Sequence, residues 1–359
     1  MADLMSASAN YAALEMKYGN FVVPAFKIKS FGMDLVTTMD LTVSELVITL
    51  SIEAAGMVVI KISDAYDLES HSFDSKVKSA FKLGTVIEVE VGYLSYTTRV
   101  FKGFVAGLGA EFTDHPMLVV KLMDVRYLMM TGGVQSVLYN EKNYSDVFKK
   151  VMSKYARLCS VECDSTSDKL ENPVSQNCSD YDFVKSELIG RGKSEREFFI
   201  FDDKAYFRTP HKNKTPIMTV NYGRELLQFE MMEDYINTGV EVIGYNYAEA
   251  KEITAKATAK SSGAMTSLIT PTPVQYFIDA DADSAAKAKT RAGAIAAAMA
   301  ENRCTASGEM IGLPEIVPGR YLAVDALDKM ADRKYYITEV THMISDARFI
   351  TRFESKGWI

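Results

Sequence analysis

Apolar and polar residues alternate with a period of two along the first third of the chain, beginning near Phe21. The longest β-prone run covers residues 46–52, where Leu, Val, Ile and Thr predominate. Further runs of this kind occupy residues 57–62, 85–91, 98–105 and 117–122. Glycines punctuate these runs. Several short strands at this spacing predict a small antiparallel barrel or sandwich.

The spacing of apolar residues changes to three and four in two other segments. Residues 143–158 are predicted to form a helix, with Ser145 as its N-cap. The apolar residues at helical spacing in this helix are Phe148, Val151, Met152 and Tyr155. Residues 4–18 carry a similar spacing, but alanine-rich chain ends fray. We therefore expect residues 1–20 to form a mobile or partner-docking arm.

The stretch 176–208 predicts a short helix followed by a two-stranded hairpin. Ser179 is a candidate N-cap, and Asp182 places a carboxylate near the positive end of the helix. The residues that fall on one face of this helix are Phe183, Val184 and Leu188. Two β-prone runs follow and meet at Asp202–Asp203, where acidic residues favour a tight turn. Together with helix 143–158, this unit predicts a middle α+β domain.

The two-residue period returns after Pro210 and predicts a second barrel. Its β-prone runs are 217–220, 226–230, 240–245, 307–315, 319–324, 334–343 and 349–354. Residues 248–272 show no clear apolar face, so we expect a long exposed excursion there. Residues 283–302 predict an alanine-rich helix whose small side chains allow close approach to another surface. The two β regions share no obvious sequence repeat, but their similar strand patterns suggest a duplicated architecture.

Composition narrows the class of protein. A length of 359 residues favours two or three domains, and 48% apolar with 24% charged residues is ordinary for a folded chain. The net charge of −7 argues against sequence-specific nucleic-acid binding, which needs clustered Lys and Arg. No apolar run approaches the roughly 20 residues of a membrane span. Without a signal-like start, we expect cytoplasmic synthesis and four free thiols at Cys159, Cys163, Cys178 and Cys304.

The residue patterns that carry chemistry in other proteins are incomplete here. Gly192-Lys193-Ser194 lacks the first glycine of a phosphate-binding loop, because position 187 is Glu187. The histidines are isolated in sequence, and Cys159 and Cys163 have no second pair at zinc-finger spacing. The acidic pairs Asp202/Asp203 and Asp281/Asp283 fit a turn and a helix start better than paired catalytic carboxylates. We therefore predict no catalytic residue, no cofactor and no metal ligand.

Three segments, in order, resemble one protein family. They are QNCSDYDFVKSELIGRGKSEREFFIFDDKAYFR (176–208), GRELLQFEMMEDYINTGVEVIGYN (223–246) and KYYITEVTHMISDARFITRFE (334–354). The first resembles the "Q…S-D-x-x-F…G…F-F…D-x-x-x-x-F-R" signature of contractile-tail baseplate hub proteins. That family includes the late control D proteins of phages, the hub portion of type VI secretion spike proteins, and the hubs of tailocins and extracellular injection systems.

The resemblance implies a β-rich α+β fold with two tail-tube-like antiparallel β-barrels and an inserted helix-plus-hairpin domain. The expected division is an N-terminal arm (1–20), a first barrel (21–135), a middle α+β domain (136–212) and a second barrel (213–359). Residues 34–52 and 240–245 are our candidates for strands that line the lumen. The arm and residues 248–272 are our candidates for partner contacts. Because the chain ends soon after the last predicted strand, we expect the spike to be a separate polypeptide.

The resemblance also implies a structural function. Three copies would form a ring that adapts the sixfold tail tube to the threefold central spike, in the baseplate of a virion or particle assembled in the bacterial cytoplasm. The implied partners are the chain itself as a homotrimer, the tail tube protein, the central spike protein, other baseplate proteins and the tape-measure protein. No membrane anchoring and no enzyme activity are implied.

Two alternatives remain from the sequence. The density of aromatic residues, 11% of the chain, fits alternating core positions in strands, but it also fits a carbohydrate platform. The first alternative is therefore a particle-associated cell-wall glycan hydrolase or glycan-binding β-protein. The second is an ordinary tail-tube protomer, which would form hexamers and contain a single barrel.

Overall fold

The computed structural model describes residues 3–167, 170, 172–190, 193–260, 273–345 and 348–359. Strands of the first part are β1 (Pro24–Ser30), β2 (Met33–Asp34), β3 (Thr42–Ser51), β4 (Met57–Ser63), β5 (Tyr66–Asp67), β6 (Ser72–Phe73), β7 (Val86–Tyr93), β8 (Tyr96–Glu111) and β9 (Met117–Met123). Strands of the middle part are β10 (Val137–Tyr139), β11 (Ser160–Cys163), β12 (Val174–Gln176), β13 (Glu197–Phe201) and β14 (Lys204–Arg208).

Strands of the last part are β15 (Pro216–Asn221), β16 (Leu226–Glu233), β17 (Asn237–Asn246), β18 (Lys251–Lys260), β19 (Val274–Ile278), β20 (Cys304–Ile311), β21 (Tyr321–Asp325), β22 (Lys334–Ser345) and β23 (Arg348–Trp358). The α-helices are α1 (Tyr11–Lys17), α2 (Leu35–Met39), α3 (Ser75–Ala80), α4 (Val125–Thr131), α5 (Tyr144–Met152), α6 (Asp180–Phe183) and α7 (Ala285–Asn302). Short 3₁₀ turns cover Gly19–Phe21 and Ser153–Tyr155, and a π-helix, Val184–Ile189, continues α6.

Twelve strands of the 13-stranded main sheet form two sets of six with the same topology. The first set has the order β1-β7-β8-β9-β4-β3, and the second has the order β15-β21-β22-β23-β20-β16. Numbered along the chain from one to six, both sets have the order 1-4-5-6-3-2. The sets differ in one pairing, since β1 is antiparallel to β7 whereas β15 is parallel to β21. The duplicated architecture expected from the strand pattern is therefore present in the topology.

The two sets join along one strand pairing, which we call the seam. Strand β22 pairs with β21 at its start, through residues 334–336, and with β3 further along, through residues 339–345. The β-rich α+β class is confirmed, but the two barrels predicted from the sequence are instead two halves of one sheet. No ladder between the described strands closes either set on itself.

One hydrophobic core lies under both sets of the main sheet. Leu46, Ile48 and Leu50 of β3 point into it, and their seam partners Ile344, His342 and Val340 point the same way. Alternation along each strand thus places apolar residues on one face of the sheet. Because the two sets pair with each other at β3 and β22, the two cores predicted from the sequence form one core.

A second core belongs to the middle of the chain. Helix α5 begins at Asn143, whose side chain accepts a hydrogen bond from the amide of Asp146, so the cap is Asn143 and not the predicted Ser145. Ser179 caps α6 as predicted, by accepting from the amide of Asp182. The predicted apolar residues Phe183, Val184 and Leu188 are fully buried here. The hairpin turns at Asp202–Asp203 as predicted.

A third core lies between α7 and the three-stranded sheet β18-β17-β19. The predicted helix 283–302 is confirmed as α7, with Ser284 as its N-cap. Its buried alanines Ala288 and Ala292 pack in a cluster with Val240 and Val242 of β17. The exposed excursion predicted for residues 248–272 was wrong for residues 251–260, which form β18; residues 261–272 lie outside the described part of the chain. The β18 side chains that face the helix are Ile253 and the small Ala255, Ala257 and Ala259, and they gave no strong periodic signal.

The N-terminal arm contacts its own chain, which corrects the expectation of a mobile segment. The buried Arg320 guanidinium donates hydrogen bonds to the carbonyl oxygens of Leu4 (2.7 Å) and Ala7 (3.0 Å). The Tyr18 hydroxyl donates to Glu315 at 2.6 Å, and Ala9 donates its amide to a carbonyl of β15. Glu315 and Arg320 lie some 300 residues away in sequence. Helix α1 is also shorter than the predicted segment 4–18.

The buried His342 predicts a pH dependence of stability. Burial lowers its pKa to about 3, while its ordinary value is 6.5. The unfolded chain therefore gains a proton below about pH 6.5 that the folded chain excludes until about pH 3. We therefore expect the free energy of unfolding to fall as the pH is lowered through this window. The loss should be on the order of 3 kcal/mol by about pH 4.

The variant His342→Gln should lack this contribution, so its unfolding free energy should fall less steeply between about pH 6.5 and pH 4. The matched control is His115→Gln at an exposed position, which should keep the wild-type slope. Urea unfolding at a series of pH values measures both. Parallel curves for wild type and His342→Gln would contradict the expectation.

Candidate assembly surface

The β13–β14 hairpin is buried on both of its faces. Phe199, Phe201 and Tyr206 point into the core of the main sheet. The alternate residues of the hairpin, which point into the middle core, are Phe198, Ile200, Ala205 and Phe207. Because side chains alternate across a strand, one short ribbon packs against both cores. The hairpin therefore fixes the middle unit against the main sheet.

Ion pairs hold the tip of this hairpin to β8. The Arg99 guanidinium donates to both carboxylate oxygens of Asp202, at 2.5 and 2.9 Å, and also contacts Asp203 at 3.0 Å. Hydrogen bonding to Asp202 raises the pKa of Arg99 above its ordinary value. Burial raises the pKa of Asp202 in spite of this pairing. Asp202 has a φ of +55°, in the left-handed region that Asn and Asp tolerate.

A buried polar cluster holds the base of the hairpin to β22. Arg208 donates to Glu197 at 2.8 Å and also to the carbonyl of Gly319. The Tyr336 hydroxyl donates to the Glu197 carboxylate at 2.7 and 2.8 Å. Burial raises the pKa of Glu197, and the Arg208 charge opposes that rise. The hairpin is thus tied to both sets of the main sheet, at β8 and at β22.

The face of the main sheet opposite its core carries polar and charged side chains between partly buried apolar ones such as Val47 and Val59, and we call it the open face. Lys61 of β4 lies 3.1 Å from Glu45 of β3 and 3.4 Å from Glu111 of β8. In the second set, Arg352 donates to Glu309 of the neighbouring strand at 2.9 Å. These cross-strand pairs leave a surface of mixed charge rather than a patch of one sign.

Strand β16 and the last part of β8 each have a free edge among the described strands of the main sheet. Strand β16 is the last strand of its set and pairs only with β20. The last residues of β8, 107–111, pair with β9 along one edge and with no strand along the other. Exposed apolar side chains lie on both segments, at Leu227 and Met232 of β16 and at Leu108 of β8. Free edges with apolar side chains are sites where another strand can add.

The strands proposed as lumen-lining do not share a surface. Residues 34–52 include β3, whose polar side chains belong to the open face. Residues 240–245 lie in β17 of the small sheet, where Val240 and Val242 pack against α7. The far side of that small sheet exposes Tyr276 and Ile278 of β19.

The other candidate residues are dispersed. His211 bonds to Glu301 and Tyr321, whereas the buried His342 bonds to Thr351. Asp281 forms an ion pair with Lys193 at 2.9 Å. The four cysteines are free thiols, as predicted. Gly192 lies outside the described residues, so the Gly-Lys-Ser segment is described only from Lys193 onward.

Within the described ranges, no group of three or more His, Cys, Asp or Glu side chains is placed to hold a metal ion. The same ranges contain no helix that is both long and apolar enough to span a membrane. The residues that organise the structure were instead arginines that the sequence did not single out, namely Arg99, Arg208 and Arg320. A charged residue inside a β-prone run is the signal that would have found Arg99 and Arg208.

The chain is similar to known proteins in sequence profile and in fold. The sequence profile described as "Alg8 N-terminal domain" matches residues 22–346. A search of curated protein sequences returned no match. Among solved structures, the chain is similar to a tail protein from Neisseria meningitidis MC58, with a TM-score of 0.69 and 11% identity over 93% of this chain and 96% of that one.

Two further solved structures share the fold. The 43 kDa tail protein of prophage MuSo2 from Shewanella oneidensis matches with a TM-score of 0.70 and 12% identity, over 92% of this chain and 98% of that one. The E. coli c3393 protein is described as a component of the type VI secretion system with structural similarity to T4 bacteriophage tail proteins gp27 and gp5. It matches with a TM-score of 0.52 and 13% identity, over 93% of this chain and 77% of that one. The chain therefore has the fold of phage tail proteins.

The hairpin tip gives a prediction about stability. Asp202→Asn keeps a residue that tolerates the left-handed φ but removes the charge that pairs with Arg99. We expect a loss of about 1–2 kcal/mol in the free energy of unfolding, because a partly buried guanidinium loses its two-point partner. Urea unfolding measures this as a lower midpoint.

The matched control is Asp203→Asn, which removes a single and more exposed contact to the same arginine. Its midpoint should fall by less than that of Asp202→Asn. Equal midpoints for wild type and Asp202→Asn would show that the ion pair does not hold the hairpin tip.

Proposed function

The chain belongs to the Alg8 N-terminal domain family, and from its fold we propose that it is the structural baseplate hub of a contractile injection particle. The observation that carries the proposal is the six-stranded topology repeated within one chain. Two similar units per chain allow three chains to build a ring of six quasi-equivalent units. Such a ring adapts a sixfold tail tube on one face to a threefold central spike on the other.

The solved structures with this fold support the proposal. Two are described as tail proteins, and a third is described as a component of the type VI secretion system. The three sequence segments that resemble hub proteins lie in the β13–β14 hairpin unit, in β16–β17 and in β22–β23. One of these strands, β22, forms the seam, and the hairpin fixes the middle unit. The resemblance therefore falls on elements that determine the architecture.

The proposed partners follow from the ring. They are two further copies of the chain, the tail tube protein, the central spike protein, other baseplate proteins and the tape-measure protein. The proposed location is the baseplate of a virion or particle that assembles in the bacterial cytoplasm. We propose the same division of the chain as above, at residues 1–20, 21–135, 136–212 and 213–359.

The proposed mechanism works through contact area rather than catalysis. Each chain would meet the next through a head-to-tail contact, and the ring closes because each step is a third of a turn. Obligate interfaces of this type commonly bury more than about 2,000 Å². We assign no catalytic residue, no cofactor and no metal to this chain, and we propose that it is not an enzyme.

The open face is the proposed wall of the central channel. Its cross-strand pairs, such as Lys61 with Glu45 and Arg352 with Glu309, neutralise one another locally. A passing polypeptide would therefore meet no strong field of one sign, so it could slide rather than bind. Of the two lumen candidates, we retain β3 and withdraw residues 240–245, because that segment lies in the small sheet.

The ring predicts a definite mass in solution. We expect the purified chain to have a native mass of three times 39.9 kDa at micromolar concentration. Native mass spectrometry or light scattering measures this directly. The trimer should also bind the tail tube protein of the same particle in a co-sedimentation assay.

Other masses would support other functions. A hexamer would favour a tail-tube protomer, and a stable monomer would contradict the hub. Release of dye from labelled cell walls by the purified chain would favour the glycan hydrolase instead. A hub that acts only by assembly should release no dye above the buffer control.

A further inference from the structure

The seam inside the chain is a pairing between the second strand of one set and the fifth strand of the other. Strand β3 is the second strand of the first set, and β22 is the fifth strand of the second set. The reciprocal pairing would join β16, the second strand of the second set, to β8, the fifth strand of the first. Within one chain these two strands lie apart in the sheet and do not pair.

The edges needed for this reciprocal pairing are free. In the seam, one edge of β22 pairs with β21 at its start and with β3 over the rest. In the same way, the start of one edge of β8 pairs with β7, up to Phe104. Among the described strands, nothing occupies the continuation of that edge at residues 107–111. Strand β16 is likewise free on the side away from β20.

Irregularities in the strands align the two sets residue by residue. In β3 the register against β4 shifts between Val43 and Glu45, and in β16 the register against β20 shifts between Leu226 and Gln228. Each shift inserts one extra residue near the start of its strand. The first residue after the shift is Glu45 in β3 and Gln228 in β16, so these two residues correspond. Counting forward by equal steps, Thr49 of β3 corresponds to Met232 of β16.

The fifth strands align in the same way. The register of β8 against β9 shifts between Val105 and Gly107, and that of β22 against β23 shifts between Ile337 and Glu339. Gly107 therefore corresponds to Glu339, and Gly109 corresponds to Thr341. In the seam, Thr49 lies opposite Thr341, and their hydroxyl oxygens are 3.4 Å apart.

We propose that β16 of one chain adds to β8 of the next, antiparallel and with Met232 opposite Gly109. The inference rests on the proposed ring and specifies its contact: a second copy of this chain is the partner, and the seam is the template. Strands β16 and β8 already run in opposite directions within one chain. Every pairing on the path between them in the main sheet is antiparallel, and the even number of strands that lie between them leaves the two opposed. A rotation about an axis parallel to the strands relates one chain to the next without reversing strand direction. Strand β16 of one chain and β8 of the next are therefore also antiparallel.

The side chains on these edges fit the pairing. Leu108 is 38% exposed, Phe112 is 66% exposed and Met232 is 55% exposed. The same register places Phe229 of one chain opposite Phe112 of the next, where an aromatic cross-strand pair is favourable. A Cβ at Gly109 would have no atom within 4 Å, so the space beside it is open for Met232. Pairing would remove both free edges and cover these apolar side chains.

One opposed pair in this register carries like charges. Glu230 of one chain would lie opposite Glu111 of the next. Lys61 already lies 3.4 Å from the Glu111 carboxylate on the open face, so a cation is present at that point. Because Lys61 also pairs with Glu45, three carboxylates would share this cation.

A disulfide cross-link tests the register. Gly109→Cys and Met232→Cys are introduced together in a chain whose partly buried cysteines Cys163 and Cys178 are changed to serine. Mild oxidation should convert the chain to a covalent trimer on a non-reducing gel, because facing positions in neighbouring strands satisfy disulfide distances. Each single variant should give no trimer.

Two double variants are the matched controls. Thr49→Cys with Thr341→Cys should form a bond within the chain, with no increase in mass, since those positions face each other in the seam. Gly109→Cys with Glu230→Cys is two residues out of register. It should cross-link at least about tenfold more slowly than the in-register pair.

The outcomes separate this inference from the proposed hub. A native trimer in which the in-register pair cross-links no faster than the out-of-register pair overturns the strand pairing but leaves the hub in place. A chain that remains monomeric by native mass overturns both. A covalent trimer obtained only with the in-register pair supports both.

Discussion

Burial of the β13–β14 hairpin between two cores fixes the middle unit against the main sheet. Phe199 and Phe201 face the main sheet, while Phe198 and Phe207 face the middle unit. Fully burying one such aromatic side chain contributes roughly 1.5–3 kcal/mol, whereas a surface ion pair contributes about 0–1 kcal/mol. Packing therefore holds the hairpin, and Arg99 sets where its tip lies. Through this ribbon, the middle unit packs against the main sheet.

The repeated topology supports the proposed function of the chain as a ring-forming hub. Each set of six strands can meet another set through a pairing of the kind seen between β3 and β22. A chain that contains two sets satisfies one such pairing internally and leaves one free at β16 and β8. Strand addition between chains would then repeat a contact that the fold already makes. In that arrangement three chains provide six similar units, although the small sheet with α7 belongs to only one set.

Much of this architecture could be predicted from the sequence, because alternation and capping are local properties. The period-two runs gave most strands of both sets, and Ser179 and the Asp202–Asp203 turn were placed correctly. Strand partners are not local, so one joined sheet was predicted as two barrels. Strand β18 was missed because most of its core-facing side chains are small alanines. The arm was predicted to be mobile or to dock a partner, because its anchor, Arg320, lies far away in sequence.

The proposed hub requires that three chains form one ring from six similar sheet units. A three-dimensional reconstruction of the purified protein by electron cryomicroscopy tests it most directly. We expect threefold symmetry, six units around one channel, and strands that continue across both the seam and the boundary between chains. A closed twofold dimer, or a ring in which only one set of each chain faces the channel, would contradict it.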